Sequence, residues 1–510
     1  MRPYVLFPPV LLLLSALVAS LIDFDSFLAY STQANNWILS RFDWLFLLSS
    51  FVAVLLLVAI SVSPLGAVRI GGHGAAPLLK PWSWFSITLC TTIATGILFW
   101  GAAEPIFHIN DPPAFSGVTP RSDGTAQFAL SSMYMHWTVT PYAIYSVGAL
   151  AFALAHYNLG APYSLSGPIS AVSPGAIPDR LRDVIDAVGL FALVAGVAAS
   201  LGAGAMALSG GMQRLFQTPD TPLVRLFIVL AIVAVFVVSS ISGIQRGIRI
   251  LSSLNIRIFF AMAIFVFVFG PTGDVIRLGG ASLAQYVVEF IPRSLNLSAS
   301  DTDGWTRDWT VFYYANWFAW APVTALFLGR IARGYTVRMF LLMNLVLPAL
   351  FGGVWMAIFG GSAIMIDQST GAAITAAVDQ NGPEAAIYAV FDALPFANIA
   401  AAVFVLAIFI SFVTAMDSNT YSMSEICTDD DPDQSPEMLR TERNVKIMWG
   451  VLIGAIAWVM TSTTGIDGVR MLSNLGGLPG LFILITMIAT LIAIWRRLGA
   501  TKNTSAAVNQ

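Results

Sequence analysis

The chain has 510 residues, 57% of them hydrophobic and only 10% charged, with a net charge of −3 at pH 7. Apolar residues gathered in repeated runs of about twenty exceed what a water-soluble core requires, so the sequence reads as a multi-spanning membrane protein. The small net charge and the lack of a Lys/Arg-rich tail give nothing to favour nucleic acid as a partner, and Cys90 and Cys427, far apart in sequence, suggest neither a disulfide framework nor a metal site.

Apolar stretches fall near 5–22, 42–64, 83–101, 130–155, 184–207, 223–243, 255–271, 309–329, 338–363, 396–423, 445–462 and 477–495. The expectation is an all-α membrane protein with twelve transmembrane helices, the first being a retained helix because no small-x-small cleavage site follows Val5 to Leu21. Placing the N-terminus inside puts about two thirds of the 25 Lys and Arg residues in cytoplasmic loops, which predicts that both termini are cytoplasmic. Between the seventh and eighth stretches, "DVIRLGGASLAQYVVEFIP" is too polar and interrupted to cross hydrocarbon and reads as an amphipathic surface helix. The loop "CTDDDPDQSPEMLRTERN" reads as a solvated turn.

Chemistry-bearing residues are few. No Gly-x-x-x-x-Gly-Lys-Ser/Thr motif is present, so an ATP-driven pump of that kind is excluded, and the four histidines form no His-Glu-x-x-His pair. Neither an enzyme nor a cofactor is expected. A charge at membrane depth costs about 3 kcal/mol and persists mainly where it is paired or functional. Glu104, Asp308, Arg257 and Asp417 are such charges. Snorkelling accounts equally well for Glu104 and Asp308, which lie at segment ends, and a boundary shift of one or two turns would turn Arg257 and Asp417 into loop-facing charges. His136, beside Trp137, reads most simply as a satisfied structural donor.

Two spans carry interruptions. "SWFSITLCTTIATGILFWGAAEP" contains Gly96, Gly101 and Pro105, and "HWTVTPYAIY" contains Pro141. Discontinuous helices expose amides and carbonyls that bind substrates in transporters, although small residues also serve tight helix packing. In "DWTVFYYANWFAWAP", Trp309, Tyr313, Trp317 and Trp320 share a helix face. Three readings stay open for that stripe: a headgroup belt, a packing seam, or a cage for an onium group completed by Trp137 and Tyr145.

"GAAEP" (101–105), "HWTVTPYAIYSVGALAFALAHYN" (136–158), "GIQRGIRILSSLN" (243–255) with "FVFVFGPT" (265–272), and "DWTVFYYANWFAWAPVTALFLGRIARGYTVRMF" (308–340) together resemble the betaine/choline/carnitine transporter family. The resemblance runs from about residue 5 to 495, and the Trp-rich eighth span followed by "GRIARG" is its most specific signature. It implies two peripheral N-terminal helices (1–82), a five-plus-five inverted-repeat core (83–272 and 308–495), an amphipathic region (273–307) whose segment near 281–292 lies at homotrimer contacts, and a short tail (496–510). The implied substrate is a quaternary-ammonium or related onium compound, moved across a bacterial inner membrane.

Carried over by position, the aromatic box falls on Trp137, Tyr142, Tyr145 and Trp317, with Trp320 one turn further along the access path and Gly96 in the broken third span. Tyr142 and Asn316 stand where many members have tryptophan. Sodium-coupled relatives use two hydroxyls in the fifth span, here Leu193 and Val197, and a Thr-Ser pair in the tenth, here Thr414-Ala415. Hard cations need oxygen ligands, so the resemblance implies weakened sodium sites, with Arg257 standing in for the ion and Thr414 the remaining coupling hydroxyl, leaving a proton-coupled carrier or an exchanger. No acid lies between Ser83 and Ala103, which favours a zwitterion such as betaine or carnitine over choline. The rival readings are a permease for ordinary amino acids and a membrane receptor that binds without transporting.

Overall fold

The computed structural model describes residues 1–92, 96–242, 245–295, 301–428 and 436–508, and among them the regular elements are helical, with one isolated bridge between Arg69 and Thr336. The first six helices are α1 (Pro3–Ile22), α2 (Phe24–Val62), α3 (Pro81–Thr92), α4 (Gly96–Asn110), α5 (Asp123–Trp137) and α6 (Val139–Leu159). Next come α7 (Gly167–Val172), α8 (Asp179–Phe216), α9 (Pro222–Ser242), α10 (Gln245–Phe269), α11 (Thr272–Ser294) and α12 (Phe312–Ile331), the last entered through a π-helical turn at Thr306–Val311. The chain ends with α13 (Val337–Leu341), α14 (Leu347–Ser369), α15 (Ala373–Asn381), α16 (Ala385–Asp392), α17 (Ala397–Cys427), α18 (Pro436–Thr463) and α19 (Ile466–Val508).

Nine helical stretches among the described residues are long and apolar enough to cross a membrane, or ten if α3 and α4 form one bent span. The remaining two stretches expected from the sequence fall on α9, of which Pro222–Val238 is apolar among the described residues, and on α12, whose apolar run is diluted by Tyr, Asn and Trp. The acidic loop at 429–435 lies outside the described residues.

Caps and breaks follow the local sequence. Asp23 accepts from Ser26 N at 3.1 Å to start α2, and Ser122 accepts from Thr125 N at 3.2 Å to start α5. α3 and α4 meet at 55° across 93–95, which lie outside the described residues. α5 and α6 are one span divided at Thr138, whose φ −114° and ψ −115° leave the helical region. Pro141 explains the division, since it has no N–H to bond the carbonyl four residues back and its ring crowds that turn. The break frees the carbonyls of His136 and Trp137.

α12 runs through the centre of the bundle against α6, α8 and α19. The two N-terminal helices pack outside: half or less of their apolar windows is buried, against 94% for 123–159. α11, the predicted amphipathic helix, turns Val275, Gly279, Ser282 and Tyr286 inward and leaves Ile276, Leu283, Val287, Val288 and Ile291 exposed. Arg293 at its end donates to Ser131 and Ser132 of α5, both at 2.6 Å. At the loop before α16, Glu384 is buried 3.6 Å from Arg225, which gives its Nε to Asp220 at 2.8 Å and an Nη to Thr461 O at 2.6 Å. Burial outweighs the shared arginine and pushes the Glu384 carboxyl up to about 7.

Candidate functional site

The break in the fourth span and the stripe on α12 face each other. Trp137, the last residue of α5, packs edge-to-face on Trp317 with ring centroids 5.2 Å apart, and on Tyr313 at the same spacing. Tyr145, two turns along α6, meets Trp317 at 5.9 Å. All four rings are buried. Trp317 is fixed by donating its indole N–H to the freed carbonyl of His136 at 3.2 Å. Gly96 opens α4 against this cluster, where an added Cβ would lie 3.1 Å from Trp137 Cη2. Gly352 of α14 closes against the break from the other side, since a Cβ there would come within 2.4 Å of Trp137 O. The hydroxyls of Tyr145 and Tyr313 are buried without a hydrogen-bond partner, so each is available to a polar ligand group.

Behind Trp137 stands a fully buried carboxylate. Glu104 accepts the Trp137 indole N–H on Oε2 at 2.7 Å, while His136 Nδ1 lies 2.6 Å and His108 Nε2 3.3 Å from Oε1. The other nitrogen of His136 lies 3.0 Å from Thr310 Oγ1, and its ring stacks on Tyr313 at 4.8 Å. Ligand atoms of Glu104, His108 and His136 lie within 4.8 Å of one another. The 2.6 Å bond between Glu104 and His136, together with the donors from Trp137 and Thr310, closes the trio as a hydrogen-bonded network rather than an open coordination sphere.

The sequence reading gave no role to this trio. Glu104 read as a segment-end charge and His136 as a structural donor, yet Glu104 is fully buried and joined to the box wall. The four-residue spacing of Glu104 and His108 on an apolar helix was the available signal. The inference that no carboxylate stands near the box does not hold in the fold.

Other predicted residues are distributed differently from the expectation. Tyr142 is buried beside α14, its hydroxyl 3.7 Å from a Cβ placed on Gly352, and it makes no ring contact with Trp137 or Trp317 among the described residues. Trp320 packs on α8, where a Cβ added at Gly196 would lie 2.8 Å from its Cδ1. Asn316 points away from the rings and accepts from Ser473 Oγ of α19 at 3.1 Å, because neighbouring helix positions are turned about 100° apart. Trp309 lies beyond the box, under the Arg470 guanidinium at 4.6 Å.

A family model described as BCCT, betaine/carnitine/choline family transporter, matches residues 4–500. The chain belongs to the betaine/carnitine/choline transporter family. It is therefore a membrane transporter and not an enzyme. Among its relatives, an ectoine/hydroxyectoine transporter of Virgibacillus pantothenticus is 30% identical over 88% of each chain. A glycine betaine transporter of Vibrio parahaemolyticus is 31% identical over 89% of this chain and 86% of its own. A solved sodium-coupled sialic acid symporter aligns with a TM-score of 0.49 at 16% identity, covering 89% of this chain and 86% of that one.

Within this BCCT chain the expected coupling residues are only partly where the sequence placed them. Leu193 and Val197 are buried on α8 and contribute no side-chain oxygen. Thr414 is buried on α17, its hydroxyl bonded to Ile410 O and Ser411 O of its own helix, both at 3.0 Å. α10 turns Arg257 to its exposed face, where it makes no ion pair with any described residue. Asn255, two positions earlier, is buried and donates to Ser411 Oγ at 2.8 Å, so a neutral amide of α10 bonds across to α17.

Proposed function

We propose that the chain is a secondary active transporter of a quaternary-ammonium or related onium compound, bound among Trp137, Tyr145, Trp317 and Tyr313. The observation that carries this reading is the convergence of rings from the broken fourth span and from α12 on one point, backed by the Glu104 carboxylate. Ring faces attract an onium group by up to about 2 kcal/mol per desolvated contact, and a carboxylate bonded to one ring adds counter-charge. A zwitterion of the betaine or carnitine type suits this arrangement, since its carboxylate can use the positive end of α4 at Gly96 and the hydroxyls of Tyr145 and Tyr313. Tyr142 and Trp320 would then shape the flanks, and Asn316 would act through packing.

Coupling is proposed not to use sodium, because Leu193, Val197 and Ala415 remove three of four side-chain oxygens from the family's two sites. The architecture proposed is twelve spans: two peripheral helices and a five-plus-five inverted repeat, with both termini cytoplasmic in a bacterial inner membrane. The exposed apolar face of α11 supports its place at the contacts of a homotrimer.

Uptake into proteoliposomes of labelled betaine, carnitine, choline, a sulfonium analogue and ectoine, each with and without sodium and a pH gradient, tests the reading. Saturable uptake of an onium compound in sodium-free buffer is the expected result. Uptake of ordinary amino acids that Trp317→Leu leaves unchanged would favour the amino-acid permease, and binding without counterflow would favour a receptor.

A further inference from the structure

Glu104, His108 and His136 form a buried titratable group behind the box, drawn from α4 and α5 and closed by Thr310. An ionised carboxylate only accepts hydrogen bonds, and three donors converge on this one, so both imidazoles give their facing N–H to Oε1. That arrangement fixes the remaining nitrogens. His136 Nε2 accepts from the Thr310 hydroxyl, while His108 Nδ1 is a bare lone pair, buried and without a partner. The ring that carries it lies against Trp305 at 5.0 Å and Trp309 at 4.5 Å, and aromatic neighbours favour a cation there.

The neighbouring elements contribute little charge of their own. From α11, Arg293 faces the histidines but is tied to Ser131 and Ser132, with Glu289 3.8 Å from it. From α12 and the turn before it come Tyr313, Thr310 and the exposed Asp308, and from α19 comes Arg470, set over Trp309. On α14 the buried Asp367 is occupied by Arg121, and near α16 Glu384 stands with Arg225. The trio itself therefore carries one net negative charge when both imidazoles are neutral, and none after one further proton has settled on His108.

We propose that Glu104, His108 and His136 are the proton-binding site of this carrier, holding one proton while the box is empty and releasing it to solvent when an onium cation enters. Trp137 connects the two events, being at once a wall of the box and the donor to Glu104 Oε2. A positive group at the rings and a positive imidazolium behind them oppose each other, so proton and onium exclude one another. The carrier then exchanges one proton for one onium charge. This inference rests on the onium reading above.

The test is performed on the full chain in detergent, with labelled glycine betaine and choline as probes. In weak buffer with a pH-indicating dye, about one proton is expected to appear per betaine bound. The dissociation constant should rise about tenfold per pH unit on the acid side of the midpoint, between about pH 8 and about pH 5. Glu104→Gln keeps an acceptor for Trp137 and is expected to bind more weakly but with no pH dependence. His108→Asn removes the imidazole on which the proton settles and should flatten the profile, and it decides the matter if Glu104→Gln does not fold. Constant affinity across this range with no proton released overturns the proposal, as does an unchanged slope in either variant. Failure of every onium probe to bind at any pH overturns the onium reading and this proposal together, whereas binding without proton linkage overturns this one alone.

Discussion

Trp317 of α12 donates its indole hydrogen to the main-chain carbonyl of His136 at 3.2 Å, a carbonyl that is free only because the fourth span is broken at Thr138. The ring therefore has two functions, an apolar face for the box and a polar anchor. Trp317→Phe keeps the face and is expected to retain onium affinity within a few-fold. Trp317→Leu removes the face, and the loss of up to about 2 kcal/mol corresponds to about thirty-fold weaker binding. Equilibrium binding of labelled betaine to the two variants separates these contributions, and equal losses would contradict the cage.

Gly96 is the position where α4 starts against Trp137. Its Ala variant places a methyl 3.1 Å from Cη2 of that ring, so the indole must shift or the helix start must withdraw. Affinity should fall about three- to tenfold while the thermal transition in detergent changes little. A large drop in melting temperature with unchanged affinity would show that Gly96 serves only helix packing.

Asn316 stands where the family often has tryptophan, and its side-chain oxygen is taken by Ser473. Asn316→Ala should lower stability by about 1 kcal/mol, with betaine affinity held within twofold. Differential scanning fluorimetry beside a binding titration reports both. A specific loss of affinity without loss of stability would return this residue to the binding site.

Glu384 offers a pH test outside the spans. Its carboxyl, raised by burial to about 7, folds best when protonated, so its contribution is complete below the ordinary carboxylate range and is lost as pH rises through about 7. Melting temperature should decline from about pH 5 to about pH 8, and Glu384→Gln should flatten that decline. An unchanged slope in the variant would assign the pH dependence elsewhere.

Much of this was legible because hydrophobic run length and the Trp-rich eighth span depend on local sequence alone. Pro141 announced the break in the fourth span, since a residue without an N–H leaves a mark wherever it sits in a helix. The fold brings Gly96 and the rings at 137, 145 and 317 together from four helices, a grouping that the family resemblance implied and that helical spacing alone does not give. Three-dimensional facing was harder to read. Asn316 and Trp320 lie on the same helix as Trp317 but point to α19 and α8, and a rotation of about 100° or less about the helix axis separates a ligand wall from a packing contact. Arg257 likewise lies on the exposed side of α10, with Asn255 on the inward side. Glu104 was undervalued because its partners, His136 and Trp137, come from another helix.

The division at Thr138 also sets which rings can move together. Trp137 ends α5 and Tyr145 belongs to α6, so the two rings that flank Trp317 are mounted on different rigid rods joined by a single non-helical residue. Any change in the angle between those rods alters the gap between the rings in the same motion. The spacing of the box is thus a direct readout of the bend in one span, without a separate linkage to transmit it.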